Sequence, residues 1–291
     1  MPTDQAIEQQ RETAITIWKT FSIEQAIYGL GLIFFGVWLL QTSFGRKALN
    51  RIPERRHTMP AYLPLLALIG FMTAPGLMID LWKAYGPDVS GYQKILWIHV
   101  IFGLTQTAMI ALFLRIGQVY FIHRLRGMGL GFHGFGRNLF GAVRILFVTW
   151  PLLMVAITLV MHYGQSVQGP NYTIERHEEL DVLVEHHRWS VTAAVLILSV
   201  VIAPIAEELL FRGIIQTALD DHVRSPWQSV IFTAILFASV HQNPEHWPAL
   251  LILGASMGYA YEKSGSLWQS ILMHAMFNGI TLVTFLQTEG A

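Results

Sequence analysis

Cysteine is absent from the 291 residues, which excludes disulfide bridges, a thiol nucleophile and thiolate-held metal. Charge is scarce as well. Asp, Glu, Lys and Arg make up 13% of the chain, about half of the roughly 25% usual in a soluble domain. Lys+Arg and Asp+Glu stand at 19 each, so no field of one sign draws polyanions, and a nucleic-acid partner is excluded. The polar opening stretch, residues 1–12, lacks the basic n-region and cleavage site of a signal peptide, so the first apolar run is expected to be retained. No internal repeat is visible. What the chain has is apolar sequence: 53% hydrophobic residues and a mean hydropathy of +0.44.

Those residues are grouped. A membrane helix needs about 20 predominantly apolar residues to cross a ~30 Å hydrocarbon core. Runs approaching that length fall at 26–41, 62–79, 95–114, 145–161, 191–206, 229–240, 247–261 and 267–286. The expectation is an all-α, multi-pass integral membrane protein of about eight transmembrane helices, in the cell membrane if the source is prokaryotic. With eight spans, alternate loops share a side. Segments 45–60, 115–144, 212–228 and 262–266 then carry 13 of the 19 basic residues, and the positive-inside bias puts both termini outside the cytoplasm.

Two local patterns are tempting. Gly129-Leu-Gly131-Phe-His-Gly134 fits G-x-G-x-x-G, but the dinucleotide reading needs a preceding strand, and here the run joins two spans. It reads as a loop. The extramembrane stretch 162–188 holds His177, Glu178, His186 and His187, which lack fixed helical spacing. A solvated loop is the expectation, and a weak metal site the alternative.

The composition shifts near residue 186, dividing an N-terminal transmembrane region (1–185) from a C-terminal region (186–288) with acids and imidazoles inside its spans. Ionisable side chains at membrane depth are expensive and suggest a site by default. Glu207, Glu208 and Arg212 sit in the fifth span, Phe237 and His241 at the end of the sixth, His274 and Asn278 in the eighth. Glu208 and Arg212 are four apart and can pair on one helix face, while Glu207 points about 100° away. Counting ~1.5 Å per residue from the polar turns, Glu207, His241 and Asn278 reach a depth of about 18–20 Å and His274 about 12 Å. Three helices thus deliver an acid, two imidazoles and an amide to similar depth. Each has a plainer reading: a structural ion pair for Glu208–Arg212, an interfacial histidine for His241, interhelical glue for Asn278. His99, in the third span, reads as a satisfied bundle residue.

The ordered set Glu207-Glu208-x-x-x-Arg212, Phe237-x-x-x-His241 and His274-x-x-x-Asn278 resembles the CPBP family of intramembrane endopeptidases, which groups type II CAAX prenyl endopeptidases with bacteriocin-processing and immunity (Abi) proteins. The resemblance covers about 191–285, and no motif position departs from it. It implies a four-helix catalytic core at the C-terminal end and hydrolysis of a peptide bond in a membrane-associated protein or peptide, a prenylated CAAX tail or a bacteriocin-like peptide. It also implies roles. Glu207 would be the general base, His241 would help place and deprotonate the water, and His274 and Asn278 would donate to the oxyanion. Glu208 would be held by Arg212. Family members have been described both as metalloproteases and as metal-independent glutamate proteases. With no H-E-x-x-H run, no required cofactor is the expectation, and Zn²⁺ on Glu207, His241 and His274 the alternative.

The first 185 residues carry no motif of that family, so substrate choice does not transfer. A catalytically silent scaffold or immunity protein binding a partner is the second reading. A proton-coupled transporter is the third, disfavoured because neither an internal repeat nor paired broken helices are visible. One conflict accompanies the orientation. A cavity beside 242–246 would open on the side the charge count makes extracytoplasmic, which a cytosolic CAAX tail would not reach.

Overall fold

A computed structural model describes residues 23–50, 52–175, 178–185 and 188–289. Among them, eight helices coincide with the eight apolar runs: α1 (Ile23–Gln41), α2 (Leu63–Tyr85), α3 (Tyr92–Tyr120), α4 (Phe135–Gln168), α5 (Trp189–Asp220), α6 (Pro226–Ser239), α7 (Trp247–Ser264) and α8 (Leu267–Glu289). Five of them, α2, α3, α4, α5 and α8, are long and apolar enough to cross a membrane, while α1 and α6 are shorter apolar helices. The protein is an all-α, integral multi-pass membrane protein.

Short turns of helix fill the connections, at Arg124–Gly127, Glu178–Glu185 and Pro244–His246. The stretch read as one long loop, 162–188, is therefore partly helical. Helix α4 continues through Pro151, which removes one bond from its ladder, and ends at Gln168, where Gly169 takes φ 103°. His177, His186 and His187 lie outside the described residues, as does the side chain of Glu178 and the polar opening stretch 1–12.

Local chemistry sets the helix ends around the site. Ser225 and Gln228 form a capping box that starts α6, with Pro226 in the first turn, where its missing N–H costs nothing. Gly265, at φ 68°, closes α7 in the left-handed conformation and frees the chain to turn into α8. Helix α5 is not uniform. It widens into π-helical turns at Leu198–Ile202 and Leu209–Gln216, on either side of the two glutamates. Such widened turns are frequent at functional sites.

The alternation of loops is realised. Segments 45–60, 121–134, 217–225 and 262–267 meet at one end of the bundle. There Arg55 pairs with Glu262 (3.0 Å), His57 with Asp221 (3.3 Å), Lys263 reaches the carbonyl of Ala48 (2.7 Å) and Leu267 N–H the carbonyl of Gly129 (2.9 Å). At the other end Glu175 N–H donates to Glu245 (3.1 Å), joining the α4–α5 and α6–α7 connections. Helix α4 packs on α1, α7 and α8, so one apolar core spans the N- and C-terminal parts of the chain.

Candidate active site

The approach of α5, α6 and α7 depends on two glycines. Gly254 and Gly258 lie one turn apart on α7. A Cβ on Gly254 would stand 3.2 Å from the Phe237 ring and 3.3 Å from Ala234, and one on Gly258 would stand 2.8 Å from Gln216 Oε1. Small residues at this spacing let membrane helices come close enough for backbone carbonyls to be reached from a neighbour. Arg212 Nη2 donates to the carbonyl of Gly254 (3.0 Å), and Gln216 Nε2 to that of Gly258 (3.2 Å) and to Glu262 Oε1 (2.8 Å). Glu208, Arg212 and Gln216 on α5 thus form a ladder against Gly254, Gly258 and Glu262 on α7. All four polar side chains are fully buried.

The predicted pair forms at the top of this ladder. Arg212 Nη1 lies 2.6 Å from Glu208 Oε1, and the same oxygen lies 3.0 Å from Nδ1 of His274 on α8. A carboxylate beside an arginine only accepts, so the proton of that contact sits on His274 Nδ1. The imidazole is oriented by this bond, and its other nitrogen, Nε2, faces Glu207 Oε2 at 3.9 Å. Glu207 therefore does point away from Arg212, toward an imidazole that links the two carboxylates. Glu207 Oε2 is buried and has no hydrogen-bond partner, and at 3.9 Å the histidine is too distant to be one.

Phe237 joins the rest. Its ring is edge-on to His274 (5.7 Å) and to Phe211 (5.3 Å), packs on His241 (4.8 Å) and lies under the Arg212 guanidinium (4.8 Å). His241 sits just beyond the last residue of α6. Its Nδ1 is 2.7 Å from the Phe237 carbonyl, an acceptor, which leaves Nε2 to the surroundings, and its own carbonyl accepts from Trp247 Nε1 (2.9 Å). Asn278, one turn past His274, donates through Nδ2 to the carbonyl of Ser199 (2.8 Å), inside the first π-helical turn of α5. That bond ties α8 to α5 and, among the described residues, leaves the second amide N–H uncommitted. His99, by contrast, turns Nδ1 back to the carbonyl of Ile95 (2.9 Å), as a satisfied bundle residue does.

Among the described residues no three His, Asp or Glu side chains are gathered closely enough to hold an ion. Glu207, His241 and His274 share a neighbourhood without forming a ligand set. The Gly129 run behaves as a connection. Gly129, at φ 96°, packs so tightly on the α7–α8 turn that a Cβ would stand 2.7 Å from Leu267 N.

A second buried polar cluster lies at the far end of the ladder and is missing from the sequence reading. Arg55 makes a two-pronged bond to Glu262 (3.0 Å to each oxygen), donates to the carbonyl of Tyr261 (2.7 Å) and stacks over that ring (3.7 Å). Burial opposes its charge, but Tyr261, Glu262 and Asp220 outweigh the opposition and hold the guanidinium pKa above its ordinary value. Asp220 accepts a short bond from Ser229. The available signals were Gln216, which continues the four-residue spacing of Glu208 and Arg212, and Glu262, which continues that of Gly254 and Gly258.

Comparison with known proteins falls on this half of the chain. Residues 189–280 match the family described as Type II CAAX prenyl endopeptidase Rce1-like. Over 94 residues the chain is 30% identical to "Putative membrane peptidase YdiL" of Bacillus subtilis (strain 168), a match covering 32% of this chain and 37% of that relative. The chain thus matches little more than a third of the relative's length. No solved structure matches.

Proposed function

We propose, from the premise that residues 189–280 are a CPBP-family, Rce1-like domain, that this protein is an intramembrane endopeptidase that hydrolyses a peptide bond with a carboxylate-activated water. The observation that carries the reading is the facing of Glu207 Oε2 and His274 Nε2 at 3.9 Å, with the imidazole pinned from behind by Glu208 and Arg212. The 3.9 Å separation of Oε2 and Nε2 is one that a single water, bonded to each at the usual ~2.8 Å, would bridge. Both atoms can accept its protons, so its oxygen is turned toward a substrate carbonyl.

In this reading Glu207 takes the proton as water attacks, and returns it to the leaving amine nitrogen as the C–N bond of the tetrahedral intermediate breaks. His274, with its proton committed to Glu208, places the water. The free amide N–H of Asn278 polarises the carbonyl and steadies the tetrahedral oxyanion, and His241, whose Nε2 is left as an acceptor, helps place and deprotonate the water. Glu208 and Arg212 do not touch the substrate and act by fixing His274. No cofactor is required. The substrate is a membrane-associated protein or peptide, either a CAAX-type prenylated tail or a bacteriocin-like peptide.

The test uses the purified protein in liposomes with a panel of quenched-fluorescence peptides: farnesylated CAAX tails, the same tails without lipid, and hydrophobic bacteriocin-like precursors. One class is expected to be cut. Glu207→Gln, which keeps shape and removes the base, should lower cleavage by roughly 10²–10⁴-fold and leave the unfolding midpoint in place. Retained cleavage by that variant rejects the assignment. Cleavage of none of the peptides by wild type favours the silent scaffold or immunity protein.

A further inference from the structure

We propose that a basic cavity at the end of α3, remote from the glutamates, binds the headgroup of an anionic phospholipid. The cavity is open to the surface, has a volume of about 860 Å³, and includes Arg115, Gln118, Ile122, His123, Arg124 and Arg126 in its lining. Three arginines line it, and no acid is among the residues that do. The acids of the adjoining segments are already answered, Glu54 by Arg56 at 2.9 Å and Asp221 by His57 at 3.3 Å. The three guanidiniums are exposed and have no ion pair or side-chain hydrogen bond of their own among the described residues.

Position in the membrane selects the ligand. Helix α3 has 29 residues and rises ~43 Å, longer than a ~30 Å hydrocarbon core, so its last turns emerge at headgroup level. Arg115 and Gln118 belong to those turns, and Arg124 and Arg126 to the short helix after them. Apolar side chains accompany them: Ile122 in the cavity wall, and Leu112 and Val119 within about one turn of Arg115 on α3, are all exposed. A phosphate held by arginine forks, with its acyl chains along that face, satisfies both surfaces at once. A free phosphate satisfies only the first. The segment is one of those whose basic excess marks the cytoplasmic side, where anionic lipids concentrate. Arg124 also adopts φ 52°, an uncommon left-handed conformation for a side chain-bearing residue. The proposal does not rest on the peptidase reading.

Native mass spectrometry of the detergent-purified full chain, with phosphatidylglycerol or phosphatidylcholine added, tests it. Phosphatidylglycerol should be retained in preference. Retention should fall by roughly a hundredfold in the triple variant R115Q/R124Q/R126Q and by less in R115K/R124K/R126K, which keeps the charge but loses the forks. Equal retention of the two lipids by wild type overturns the proposal without recourse to any variant. So does a folded glutamine variant that retains phosphatidylglycerol as wild type does. Displacement of the lipid by millimolar inorganic phosphate would assign the cavity to free phosphate and overturn the lipid.

Discussion

Arg212→Met is the perturbation with the most calculable outcome. The substitution keeps an unbranched, apolar stem and removes the guanidinium. That group makes a 2.6 Å bond to Glu208, a 3.0 Å bond to the Gly254 carbonyl and a stacking contact on Phe237. Glu208 is then left fully buried, with His274 Nδ1 its remaining partner and Oε2 with none. Breaking a desolvated pair from one side costs about 3–5 kcal/mol, mostly the penalty of the stranded charge. Against a total stability of ~5–15 kcal/mol the variant should still fold, with a large drop in its unfolding midpoint. Removing both charges in E208Q/R212M strands neither. It should cost less than the sum of the single changes, with a coupling of about 1–3 kcal/mol. Tryptophan fluorescence during equilibrium unfolding in mixed micelles reads all four members of the cycle. A loss under ~1 kcal/mol for the single variant, with an additive double, would refute the claim that these charges are held away from water.

Further outcomes can be checked with the same material. Gly258→Ala places a Cβ 2.8 Å from Gln216 Oε1 and 3.2 Å from Val230, and should cost about 1–3 kcal/mol in unfolding, as overpacking does. Arg55→Met leaves Glu262 buried and should lower stability by about 3 kcal/mol while cleavage per folded molecule stays unchanged, because Arg55 lies outside the reacting groups. His274→Ala should reduce cleavage by roughly 10²–10⁴-fold, measured against the recovered folded fraction. Chelator treatment should leave cleavage intact, and loss reversed by Zn²⁺ would install a metal in its place.

Much of the site could be read in one dimension because a helix converts sequence spacing into direction. Glu208 and Arg212, four apart, had to share a face, and Glu207, one residue earlier, had to look elsewhere. The depth count anticipates that α5, α6 and α8 bring Glu207, His241 and His274 together, and His274 does face Glu207 at 3.9 Å while Phe237 packs on both His274 and His241. The partners across helices were not legible. Nothing in His274-x-x-x-Asn278 tells that the first residue bridges two carboxylates while the second ties α8 to Ser199. Those contacts depend on the rotation of α8 about its axis, which spacing within α8 leaves free. The Arg55 cluster escaped for a related reason. Arg55 stands in a basic, polar segment that reads as solvated, and its burial comes from Glu262 and Tyr261, more than 200 positions away.

The amino-acid sequence by itself determined that the chain lives in a bilayer, how many apolar runs it lays across the bundle, and which loops share an end, because hydrophobic length and chain alternation are local quantities. It also determined which ionisable residues must find partners, since a charge at that depth cannot stay alone. The tertiary structure alone decided who those partners are. Gly254 and Gly258 admit α5 and α6 to the surface of α7, and the resulting close approach brings Arg212, Glu208, His274 and Glu207 into one line. Distances between helices are set by packing, and packing is a property of all the faces together.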